Sequence, residues 1–329
     1  MFAYGREPLE IFDLRRNAMN NFPSRRDFLR TTAAAGASLA LTQNLLAASQ
    51  KSVLVFTKSS GWEHDVVKRV DGKSSIMENA VTELGKKHDF SVVRSKDGRI
   101  FDSADFAGFS AMVFFTTGDL TEIGTDKNPP MTADGKQKLL DAVHDGKGFV
   151  GVHAASDTFH TKPDTPDLSS RYVAYGEKSD PYLRMLGGEF IIHGSTPRLQ
   201  TSKLVLNDPK FPGLEGATSP VEFTEEWYSL KDFMPDLHVI ATLETAGMKG
   251  NCYERKPYPV TWARMHGKGR VFYTAMGDRP ENWQIPFFLN VVAGGIRFAL
   301  GTANGDVTNN LLKAAPGYAE IPPKEPPKK

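Results

Sequence analysis

Lys147-Gly148-Phe149-Val150-Gly151-Val152-His153-Ala154-Ala155-Ser156-Asp157-Thr158-Phe159-His160 is the stretch whose reading decides the fold. Phe149, Val150 and Val152 form a short apolar run opened by Gly146 and Gly148, the pattern of a strand buried on both faces of a parallel sheet. Polarity returns abruptly with His153, Ser156 and Asp157. Ligands of open α/β sheets bind at the carboxyl ends of the strands. The stretch therefore predicts a central strand and, at its end, the floor of a site.

Working outward, residues 52–56 read as a first buried strand and lead into a polar loop, residues 57–65, that carries Trp62 and His64. Apolar residues at spacings of three and four predict a helix over 74–87. Strands follow at 90–93 and 111–115, and a helix at 132–144 opens on Thr132 as N-cap and closes at Gly146. This alternation predicts an α/β protein with a doubly wound sheet. After Thr161 the chain makes a long Pro-, Tyr- and Gly-rich excursion. Further strands are expected at 203–206, 237–243, 259–264 and 270–274, and a closing helix at 284–300. The segments Gly146-Lys147-Gly148 and Gly267-Lys268-Gly269 each lead into a strand rather than a helix, so they are turns and not phosphate cradles. One domain over 51–302 and a disordered Pro- and Lys-rich tail over 303–329 complete the expectation.

The 329 residues carry 40 basic and 39 acidic side chains, a balance that gives no electrostatic case for nucleic acid or an anionic membrane. A single cysteine, Cys252, excludes a disulfide framework and a Cys-rich zinc site. Near the N-terminus, Ser24-Arg25-Arg26-Asp27-Phe28-Leu29-Arg30 has the pattern of a twin-arginine export signal. The Ala-, Gly- and Thr-rich run after it is too weakly apolar for a stable membrane anchor. Residues 1–50 are therefore expected to be a signal and leader read by the Tat translocase, with the mature protein periplasmic or secreted.

The candidate site gathers His64, His153 and His193, each placed where strand ends bring loop tips together. Glu225-Glu226-Trp227-Tyr228 sets two carboxylates beside two aromatics, either as a solvated acidic pair before a strand or as an acid/base pair next to a stacking surface for sugar rings. Asp157 is either an N-cap or the partner that fixes the tautomer of His153. Asp278 follows another strand, with a salt bridge to Arg279 as its structural alternative. His153, His64, His193, Glu226, Asp157 and Asp278 are thus the catalytic candidates, and Trp227, Tyr228, Trp62 and Glu225 the substrate-binding ones.

Three groups of residues carry a family resemblance: 148–157, Leu186-Gly187-Gly188-Glu189-Phe190 with His193, and Glu226-Trp227-Tyr228 with 259–274. Together they resemble the trehalose-utilisation ThuA family over about residues 52–300. The resemblance implies a flavodoxin-like, class I glutamine amidotransferase-like, mostly parallel sheet in which the organising strand feeds the nucleophile elbow. His153 stands at that elbow where an amidotransferase carries cysteine, so glutaminase thioester chemistry is unavailable. Family members carry Asp-Glu before the tyrosine and Gly-His after the last strand, whereas this chain has Glu225-Glu226 and Gly277-Asp278.

The function this implies is breakdown of a disaccharide or 3-keto-glycoside by acid/base elimination, hydrolysis or isomerisation. Two alternatives are a metal-dependent hydrolase with His64, His153 and His193 as ligands, and a non-catalytic sugar-binding protein. No cofactor is fixed by the sequence. A divalent metal is the one its histidines would suit.

Overall fold

The computed structural model describes residues 50–324; the twin-arginine segment lies outside them. Among the described residues there are eleven strands and five α-helices, and the predicted alternation of strand and helix holds through the first four strands. β1 (Lys51–Phe56), β2 (Phe90–Ser95), β3 (Ala111–Phe114), β4 (Gly148–Val152) and β11 (Gly269–Thr274) pair in parallel in the order β2-β1-β3-β4-β11. That order is flavodoxin-like, with the chain leaving β1 for one edge and returning through β3 on the other side. β10 (Tyr258–His266), β9 (His238–Leu243), β6 (Gln200–Leu206) and β7 (Val221–Glu225) extend the same sheet in antiparallel fashion beyond β11.

Three of the helices, Ile76–His88, Ala133–His144 and Pro286–Ala299, form where their caps and stripes predict. α1 (Ile76–His88) starts on a capping box in which Ser75 and Glu78 exchange hydrogen bonds, and α2 (Ala133–His144) starts on Thr132. α3 is Pro181–Leu186 and α4 is Pro286–Ala299. Two glycines of β4 show that the sheet is covered on both faces. A Cβ on Gly148 would lie 2.3 Å from the Ala299 carbonyl oxygen of α4, and one on Gly151 would lie 2.7 Å from Leu186 Cδ1 of α3. Helices can approach this strand only because no side chain is there. All five β4 residues are buried, as the apolar run requires.

Three features depart from the expectation, the first being β7, which forms over a segment where no strand is expected. The excursion after Thr161 contains α3 and a separate two-stranded sheet, in which β5 (Glu189–His193) pairs antiparallel with β8 (Tyr228–Lys231). Residues 303–324 are also not the disordered tail that composition predicted. They include α5 (Leu311–Ala314), bury Leu311 and Ala315, and tie Asn310 to the backbone of Val239 on β9. A few apolar contacts and a bidentate amide are enough to order a Pro-rich segment against an existing sheet. Among the described residues no helix is long and apolar enough to cross a membrane.

Candidate active site

The strand ends converge as an open α/β sheet dictates. His64 comes from the loop after β1, His153 from the end of β4, Asp278 from the segment after β11, and Glu226 from the junction of β7 and β8. The loops are zipped together above the sheet: Ser59 bridges Thr117, Gly118 bridges Thr158, and the Gly118 N–H donates to the Asp157 carbonyl at 2.8 Å. A cleft of about 720 Å³ opens there, walled by Trp62, His64, His193, Arg198, Glu226 and Asp278. A hollow of about 890 Å³ at the opposite, N-terminal ends of the strands is lined by residues such as Lys51, Lys147 and Arg270 and holds no histidine.

His153 turns the chain at the elbow. Its φ of 45° lies in the left-handed region, costly for most L-residues, and it opens the short 3-10 turn His153–Asp157. The ring is fully buried, with Nδ1 2.7 Å from the Ala275 carbonyl oxygen. A carbonyl only accepts, so Nδ1 carries the hydrogen and Nε2 faces Glu226 Oε2 at 3.4 Å, an ion-pair contact without hydrogen-bond geometry. Burial disfavours its charged form, but attraction from Glu226, Glu225 and Asp278 outweighs that and lifts its pKa to about 9. For Glu226, burial works against ionisation, yet His153, His193 and Arg198 pull its pKa down to about 2. His64, 5.3 Å from His153 ring to ring, is pushed down to about 3 by burial and by His153. The two imidazoles do not share a charge.

His193 ends β5, opposite Tyr228 of β8. Its Nδ1 lies 3.0 Å from the Gly194 carbonyl oxygen and its Nε2 3.6 Å from Glu226 Oε1. It is partly exposed to the cleft, so a substrate can reach it. Arg198 joins the carboxylates, with Nη1 2.8 Å from Glu226 Oε1 and 3.0 Å from Asp278 Oδ2. Nothing in the sequence marked this arginine, which sits in a loop with no spacing signal. Asp278 therefore pairs with Arg198, while Arg279 pairs with Glu281 instead.

Several expected roles are corrected. Trp227 is 0% exposed, and its indole N–H donates to the Gln200 carbonyl, so it offers no face to a sugar. The Tyr228 ring is packed between His153 and Phe190, at 3.9 and 4.0 Å between centroids, and is almost wholly buried in the cleft wall. Glu225 is buried behind the site. It accepts from the backbone N–H groups of Gly277 and Glu226 and from Asn282, and burial raises its pKa to about 7. Asp157 neither orients His153 nor caps a helix: its carboxylate accepts from His160 at 2.5 Å and pairs with Arg171. Trp62, 73% exposed, stands at the rim of the cleft.

Ligand-competent atoms of His64, His153, Glu226 and Asp278, all buried, lie within 4.8 Å of one another. His193 is not in that set, so the three-histidine arrangement expected as an alternative becomes two histidines and two carboxylates.

Comparison with known proteins agrees with this architecture. A structure of a ThuA-like protein from Bacteroides uniformis ATCC 8492 superposes with a TM-score of 0.54 at 16% identity, covering 81% of this chain and 97% of that one. One from Parabacteroides merdae ATCC 43184 gives 0.51 at 16%, covering 83% and 97%. At such identity the likeness shows the fold alone. No curated protein matches the chain. A family model for the twin-arginine translocation signal matches residues 23–42, which directs the protein to export, to the periplasm or beyond. The family model ThuA, described as trehalose utilisation, matches residues 52–299, three-quarters of the sequence, and the chain therefore belongs to the ThuA family.

Proposed function

We propose that this protein is an exported enzyme of carbohydrate breakdown that cleaves a disaccharide, or its 3-keto derivative, by acid/base chemistry in the cleft above β4. The observation that carries the reading is the pairing of His193 with Glu226 at the wall of a polar cleft whose rim presents Trp62. With Nδ1 donating to the Gly194 carbonyl, Nε2 is the proton-accepting nitrogen of a side chain that lines the cleft, the form a general base needs. A second chamber of about 290 Å³ adjoins the cleft, shares Trp62 and Asp157 with it, and adds Asp119, Lys162 and Arg171. Two adjoining polar chambers with an aromatic between them suit two linked sugar rings.

A ketone at C3 acidifies the C2–H. His193 takes that proton, the electron pair forms the C1–C2 double bond, and the C1–O bond breaks. The proton taken is then available to the leaving sugar oxygen, so the cycle is neutral overall. Incubation of the purified mature protein with a panel of disaccharides and their 3-keto forms, read by mass spectrometry, tests this. Elimination gives one intact sugar and a partner lighter by one water than the hydrolysis product. No product from any member of the panel would remove the enzymatic reading and leave sugar binding.

A further inference from the structure

The buried floor of the cleft has a property that the acid/base reading does not use. His153 is fully buried, its Nδ1 is committed to Ala275, and its Nε2 has no hydrogen-bond partner while facing a carboxylate. His64, also buried, has an unpartnered Nδ1, and its Nε2 meets only the Tyr228 hydroxyl, at 3.3 Å. Unsatisfied imidazole nitrogens are costly inside a protein and call for a missing partner.

Glu226 and Asp278 each keep one oxygen on Arg198, which orients both carboxylates; the other Glu226 oxygen faces His153, and Asp278 offers an oxygen within 4.8 Å of the ligand atoms of both histidines. We propose that His64, His153, Glu226 and Asp278 bind one divalent transition-metal ion, with Arg198 and the Ala275 carbonyl holding the ligands in place. The proposal rests on the reading of this cleft as a sugar site and adds to it an electrophile at its floor.

The geometry fits an ion of this class. Zinc–ligand distances of about 2.0–2.2 Å put tetrahedral ligand atoms roughly 3.4 Å apart, so four atoms within 4.8 Å of one another close on an ion by shifts of roughly 1 Å. Two imidazoles and two carboxylates favour a first-row transition ion over calcium or magnesium, which prefer all-oxygen shells. The hydrogen bond from His153 Nδ1 to a backbone carbonyl is the outer-shell contact that ligating histidines make. His193 stays at the wall, free to move protons next to the ion.

Metal analysis of the exported mature protein, followed by chelator stripping and titration with zinc chloride, tests the site without any substrate. About one zinc per chain is expected, with a rise in melting temperature and, in cobalt-substituted protein, visible absorption of a low-coordinate site. His64→Asn, His153→Asn and Asp278→Ala should each weaken zinc binding by at least ~10-fold, and Asp278→His should retain it. Should a variant fail to fold, Asp278→Asn, which keeps the shape of the side chain, is the substitute.

Well under one zinc with no thermal shift overturns the proposal, as does zinc binding undiminished in all three ligand variants. Products from the sugar panel made by chelator-stripped, zinc-free protein leave the enzymatic reading intact and remove the metal from it. Zinc binding at the four residues with no product from the panel does the reverse.

Discussion

The Nδ1 of His153 and the carbonyl oxygen of Ala275 meet at 2.7 Å, so the end of β4 is tied to the end of β11 through the imidazole itself. That bond fixes the tautomer and aims Nε2 at Glu226, and it is possible because His153 takes a left-handed turn at the strand end. Residues such as Asn tolerate that conformation better than most, which makes His153→Asn a cleaner probe of this position than His153→Ala.

His193→Gln should lose at least ~10²-fold in turnover on whichever member of the sugar panel is cleaved, the usual scale for removing a general base. Because the side chain is partly exposed and its main bond is to the adjacent Gly194, stability should change by no more than about 0.5 kcal/mol. Turnover and melting temperature measured on one preparation check both; full activity would exclude His193 as the base.

The two tryptophans near the site should behave in opposite ways. Trp62→Ala removes an exposed rim surface and should raise KM about 5-fold, roughly 1 kcal/mol of lost ring contact, with kcat and melting temperature unchanged. Trp227→Phe strands the buried Gln200 carbonyl and should cost about 1–3 kcal/mol in denaturant unfolding without a specific effect on KM. A KM effect confined to Trp227→Phe would return that residue to the sugar site.

Stability should fall at alkaline pH partly through His160. Burial opposes its charge, but Asp157 and Glu189 on either side raise its pKa above the ordinary histidine value, against a smaller opposing push from Arg171. A group whose pKa is raised by folding stabilises fully below its unfolded value, about 6.5, and that contribution is lost as pH rises through the folded value. Melting temperature followed upward from pH 6 should decline in the wild type and decline less in His160→Gln; equal slopes would show that the buried imidazole is uncharged.

Replacing Arg25 and Arg26 together by lysine should leave an uncleaved precursor in the cytoplasm, because the arginine pair is the part of the signal that the translocase reads. Fractionation and mass analysis of the product check it.

What the sequence by itself determined is everything governed by local period and local chemistry. Buried runs such as 148–152 are strands wherever they lie, Ser75 and Thr132 cap helices through neighbours three residues away, and polar residues at strand ends mark the carboxyl edge of a parallel sheet. So His64, His153, His193 and Glu226 could be named before their distances were known.

Only the tertiary structure decided which way neighbouring side chains point. At the end of β7, Glu225 turns back into the N–H groups of Gly277 and Glu226, Glu226 faces the cleft, and Trp227 is sealed inside, although the three are consecutive. It also decided that Asp157 serves His160, that Arg198 clamps Glu226 and Asp278 from 28 and 80 residues away, and that residues 303–324 lie against β9. These outcomes depend on pairings between residues far apart in the chain, where burial and unsatisfied hydrogen bonds choose the partner, and no periodicity within one segment records that choice.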